Sequence, residues 1–115
     1  MNVIVLKSEA LAVRMVRLHQ HLVRSKNERV MSKQLLRSGT SIGANVAEAH
    51  AAQSDADFLA KMHIALKECN ESRYWCKLLF ATDYLNCKEF DSLSKDLNEV
   101  FALLSPIIRT TRARL

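Results

Sequence analysis

The stretch from Arg37 to Ala49, RSGTSIGANVAEA, places six small residues in the seven positions Ser38 to Ala44 and holds both glycines of the chain. Around it, Leu35, Gly39, Ile42, Val46 and Ala49 recur in a heptad-like helical register, with Leu36, Gly43 and Ala47 alongside. Glycine in a helix interior costs roughly 1 kcal/mol against alanine. Two glycines four residues apart, on one helical face, imply that something approaches this backbone closely. Another helix and a phosphate group are the two candidates. A phosphate-cradling P-loop ends in Gly-Lys-Ser/Thr, and that ending is absent. The spacing therefore favours a helix contact tighter than the usual interaxial distance of about 8–10 Å.

The rest of the chain also reads as helix. Two glycines and one proline in 115 residues leave too few turn-formers for a β-sandwich or an alternating α/β fold. The length suits one domain, residues 1–115, built on one core. Ser8 and Glu9 suit a helix start, and Leu11, Met15, Leu18 and Leu22 form the apolar stripe of a helix over 8–25. Ser25 to Arg29 contains no apolar residue and reads as a loop. A second helix is expected over 32–52, with Arg37, Ser41, Asn45 and Glu48 on its polar side. Ser54 and Asp57 suit the cap and capping-box acid of a third helix over 55–81, and Asn86 with Glu89 repeats the pattern for a fourth over 87–105. That helix carries the most regular heptad: Phe90, Leu93, Leu97, Val100, Leu104 and Ile107. Pro106 should stop or kink it near Leu104 to Ser105, leaving 109–115 as a loose basic tail. Four amphipathic helices with short connections predict an all-α, antiparallel up-down-up-down four-helix bundle.

Catalytic signatures are missing. His19, His21, His50 and His63 do not form HExxH, and Glu48, Glu68 and Glu71 lack the paired Glu-x-x-His motifs of di-iron bundles. Cys69, Cys76 and Cys87 are odd in number and lack CxxC spacing, which argues against a disulfide framework or a zinc site. Ser38 and Ser41 stand in no GxSxG elbow. No enzymatic activity, cofactor or metal is expected. Tyr74, Trp75 and Tyr84 are interrupted by aliphatic positions rather than interleaved with a basic run, so Trp75 is expected to pack in the core or at a subunit interface. No apolar run approaches the roughly 20 residues of a membrane span, and MNVIVLKS does not suit a secretory signal. A cytoplasmic location without membrane contact is the expectation.

Charge supplies the one hint of a partner. The net charge is +5, and residues 1–47 carry eight Lys/Arg against two acids, whereas 48–99 carry six against ten. Clustered cations neutralise phosphates and release counterions. The candidate nucleic-acid-binding residues are Arg14, Arg17, Arg24, Lys26, Arg29 and Lys33, with Arg109, Arg112 and Arg114 in the tail. Alternatively, the basic ends pair with the acidic middle of a neighbouring subunit. The chain would then be a protein–protein interaction module with no nucleic-acid role.

The segments QLLRSGTSIGANVAEA (Gln34 to Ala49) and SDADFLAKMHIALKECNESRYW (Ser54 to Trp75) resemble the bacterial four-helix-bundle family of 23S rRNA intervening sequence proteins. The likeness spans nearly the whole chain, and its order RSGTSIGAN, DF, IALKE, YW is long and specific. The resemblance implies a cytosolic ring-shaped homopentamer, with RNA or a nucleic-acid-processing protein as partner. It extends to the accessory proteins of diversity-generating retroelements, more strongly basic pentamers that work with a reverse transcriptase and RNA. The resemblance brings no established activity and no catalytic motif. The positions matching the family pattern are Arg37, Ser38, Gly39, Gly43, Asn45, Glu48, Asp57, Phe58, Glu68, Glu71, Tyr74 and Trp75.

Overall fold

The computed structural model describes residues 2–115 as four helices: α1 (Val3–Lys26), α2 (Met31–His50), α3 (Asp55–Ala81) and α4 (Cys87–Ala113). Side-chain contacts fix their directions. Asn2 meets His50, Ser38 meets Ser72, Arg14 meets Asp96 and Arg112 meets His63, so neighbouring helices run antiparallel. Each helix packs on its chain neighbours, and α4 closes on α1, while α1 and α3 lie across the diagonal of the bundle. The result is a rod of 46 × 23 × 21 Å. Its core is a ladder of Leu11, Met15 and Leu22 from α1, Leu35, Ile42 and Val46 from α2, Met62, Cys69 and Leu79 from α3, and Leu97 and Leu104 from α4. No described helix is long and apolar enough to cross a membrane.

The glycines mark the α1–α2 contact. A Cβ on Gly43 would lie 3.1 Å from the Ser8 carbonyl oxygen, and one on Gly39 would lie 2.5 Å from Met15 Cγ. The approaching object is therefore α1.

Three helix ends differ from the sequence expectation by two residues or more. Helix α1 starts at Val3, not at residue 8, because the Asn2 side chain accepts from the Ile4 amide at 3.1 Å. Ser8 is not a cap; it is buried inside the helix and its hydroxyl donates to the Val5 carbonyl. Helix α4 does not end at 105, and residues 109–113 are not a loose tail but its last turn. Pro106 is accommodated because it and Ala102, whose carbonyl loses its amide partner, both lie on the exposed side where water can serve. Beyond the proline the buried positions are Ile108 and Thr111 rather than Ile107. Helix α2 also stops two residues early, at His50.

Candidate nucleic-acid interface

The α1–α2 connection is built by two local devices. Asn27 adopts the left-handed conformation at φ 55°, which asparagine tolerates at a helix end, and the Glu28 amide then donates back to the Leu22 carbonyl. The buried Glu28 carboxylate accepts from the amides of Val30, Met31 and Ser32, the last at 2.7 Å, and so caps α2. Ser32 Oγ donates to the Glu28 carbonyl and meets His19 Nδ1 at 3.1 Å. This joint holds Arg24 and Lys26 at the end of α1 beside Arg29 and Lys33 at the start of α2, all exposed. Among the described residues no carboxylate pairs with any of the four. Arg29 donates to the Asn27 side chain. The acids at this end of the rod, Asp83, Glu89 and Asp91, belong to the α3–α4 connection and the first turns of α4.

The nine candidate cations do not form one face. Arg109, Arg112 and Arg114 sit at the opposite end, since α4 descends past α1 and finishes beside the start of α3. There, Arg114 is held by Asp55 at 3.2 Å, which raises its already high pKa, and Arg112 donates to His63 Nε2 at 2.5 Å. Arg14 is also engaged: it pairs with Asp96 at 2.5 Å and donates to the Ser92 hydroxyl at 2.7 Å, tying α1 to α4. Arg17 is exposed along the middle of the rod, on a cleft of about 230 Å³ shared with Arg14, Leu18, His21, Glu89 and Leu93. The end of α4 lies at the end of the rod opposite the α1–α2 connection, so the two basic groups cannot share one face. That separation is invisible to a count of charges.

Of the family-pattern residues, Gly39 and Gly43 lie at the α1–α2 contact and Tyr74 is exposed on α3; the others fall into three groups. Arg37, Ser38, Glu68, Glu71 and Trp75 converge on the α2–α3 seam: Arg37 donates to both glutamates, and Trp75 Nε1 donates to Glu71 at 3.0 Å. The Trp75 hydrogen bond, aided by Arg37, holds the Glu71 carboxyl below its ordinary range against the opposing effect of burial. Beneath them the Ser38 and Ser72 hydroxyls share a hydrogen bond of 2.9 Å across the seam, each also within reach of a carbonyl of its own helix, Leu35 and Glu68. Asn45 donates to the Ser41 carbonyl within α2, and Glu48 reaches Lys61. Asp57 lies in the first turn of α3, and Phe58 packs edge-on to His50 at the far end of the rod. The arrangement joins helices and gathers no reactive group. Burial pushes the thiols of Cys69 and Cys76 up to about 11 and about 12, which keeps both protonated near neutrality. No three metal-ligating side chains converge among the described residues.

Sequence reading missed Glu28. Its signal was available, because an acid four residues before Ser32 at a predicted helix start fits a carboxylate cap, but it lay in a segment read as loop.

Comparison with known proteins agrees with this architecture. The profile of the family described as 23S rRNA-intervening sequence protein matches residues 2–106. No curated protein matches the chain. Among solved structures, a protein of unknown function from the S23 ribosomal protein family of Bacteroides thetaiotaomicron VPI-5482 is 52% identical, with a TM-score of 0.91. The match covers 92% of this chain and 98% of that one. The chain belongs to the 23S rRNA-intervening sequence protein family.

Proposed function

We propose that this chain is a non-enzymatic, cytoplasmic subunit of a ring-shaped homopentamer that binds RNA or a ribonucleoprotein through the α1–α2 end of each bundle. The observation that carries the reading is the group Arg24, Lys26, Arg29 and Lys33, held together by the Asn27–Glu28 joint and left without carboxylate partners among the described residues. A ring repeats that cluster on each copy, so modest contacts multiply through effective concentration. The ring itself is what the family resemblance implies. A purely protein-binding role, with the basic residues set against a neighbour's acids, is less well supported. Lys7, Arg14 and Arg114 already find acids within their own chain.

Filter binding of a structured RNA at low salt tests the proposal. The variant Arg29→Glu/Lys33→Glu should weaken binding at least tenfold, and Arg109→Glu at the other end should leave it nearly unchanged. Equal loss from both variants, or no binding by the wild type, contradicts it.

A further inference from the structure

We propose that His50 and His63 form a paired, pH-sensitive latch on the two ends of the chain. Neutral, the rings hold the first turn of α1 and the last turn of α4 to the bundle; protonated, they release both. This goes beyond the RNA reading and stands without it.

Hydrogen-bond chemistry fixes the state of the His50 ring. Its Nδ1 lies 2.9 Å from the Val46 carbonyl oxygen, which can only accept, so Nδ1 carries the proton. In the neutral ring Nε2 is then a lone pair, and Asn2 Nδ2 donates to it at 2.9 Å. The Asn2 amide does not serve the other way round, because its Oδ1 already accepts from the Ile4 amide and caps α1. Protonation sets an N–H of the ring against an N–H of Asn2. Turning the Asn2 amide over would satisfy the ring but strip the cap from α1, so in either case the start of the helix loses a hydrogen bond. At the same end of the rod, Arg112 of α4 donates to His63 Nε2 of α3. A guanidinium has no acceptor, so this ring too is unprotonated at Nε2. Protonation there faces an imidazolium with a guanidinium, which adds repulsion to the lost bond.

The groups around each ring give the charged form little compensation. His50 lines a cleft of about 390 Å³ together with Gln53, Asp55, Phe58 and Arg114. Asp55, the acid that α3 presents there, is held by Arg114 of α4 at 3.2 Å, and Asp57 of the same turn does not line the cleft. On α2 itself Glu48 is taken by Lys61 at 3.4 Å, and the first charge of α1, Lys7, lies on Glu99. His63 has Lys67 one turn on along α3 and Arg109 one turn before Arg112 on α4, and α4 carries no acid after Glu99. Among the described residues no carboxylate pairs with His63 or Arg112. Histidine ordinarily changes charge near about pH 6.5. The latches are therefore closed above that range and are lost as pH falls through it. Ile4 and Thr111 are buried and keep these turns seated, so the response is a rise in local opening rather than unfolding of the body.

Amide hydrogen exchange followed by nuclear magnetic resonance on the full chain tests this, with the titration of each ring read in the same samples. Between about pH 7.5 and about pH 5.5, protection of the Ile4 and Arg114 amides should fall by about threefold or more. Each fall should share the midpoint of its own ring, while the Ile42 amide in the core keeps its protection. His50→Gln retains an acceptor that does not titrate, so it should remove the response at Ile4 and leave that at Arg114; His63→Gln should do the converse. Asn2→Asp should reverse the sign at Ile4, because a carboxylate both caps the helix and attracts the charged ring. A response at one end alone, abolished by that end's variant, overturns the latch at the other end. No response at either end, responses that persist in both variants, or loss of protection at Ile42 together with the ends overturns the proposal.

Discussion

Gly43 is limited by backbone and Gly39 by a side chain, and that difference predicts unequal responses to substitution. The Ser8 carbonyl 3.1 Å from a Cβ at Gly43 cannot move without shifting α1, so Gly43→Leu should lower stability by about 1–3 kcal/mol. At Gly39 the obstacle is buried Met15, whose Cγ would lie 2.5 Å and Cβ 3.1 Å from the new atom, so the side chain must repack inside the core. Gly39→Ala should also destabilise, since the roughly 1 kcal/mol of helix propensity that alanine returns is set against that repacking. Thermal melts by circular dichroism compare the two; an unchanged melt for Gly43→Leu contradicts the close packing. Glu71 carries a second expectation. Its folded pKa is depressed, so its contribution is full above the ordinary carboxylate pKa and is lost as pH falls through the lower folded value. Trp75 fluorescence should follow that acid loss, and Glu71→Gln should flatten it. The glycine contact was legible because two costly residues four apart demand a reason. The Glu71–Trp75 bond was not, although the residues lie one helical turn apart, because sequence does not say which side chains turn toward a seam.

At the scale of elements, caps decide where helices begin. Glu28 serves three amides of α2, and Glu28→Ala should cost about 1–2 kcal/mol, the range for a lost cap, read as a lower urea midpoint with unchanged slope. Pro106 leaves α4 one hydrogen bond short. Pro106→Ala, at an exposed position, should raise the melting temperature, since proline costs a helix interior up to about 3 kcal/mol; a lower melting temperature would contradict that cost at this site. The starts of α3 and α4 were readable from Ser54 and from the Asn86–Glu89 capping box because those signals have no competitor nearby. The start of α1 was not. Val3-Ile4-Val5-Leu6 is rich in β-branched residues, which are indifferent helix formers, while Ser8-Glu9 imitates a cap. Burial against α2 overrides both tendencies. The end of α4 was missed because proline was weighed without knowing which side of the helix it occupies.

For the whole molecule, the four-helix architecture followed from amphipathic period and turn scarcity, but the distribution of charge did not. Folding separates the nine candidate cations along a 46 Å rod and engages Arg14 and Arg114 with acids. The central claim is that the α1–α2 end meets phosphate, and phosphate contact has a signature in salt. Fluorescence anisotropy of a labelled structured RNA, measured from about 50 mM to about 200 mM salt, should show log affinity falling linearly with log salt concentration. The slope should become shallower in Arg29→Glu/Lys33→Glu. Affinity absent at about 50 mM salt, or a slope identical in wild type and variant, would contradict the account.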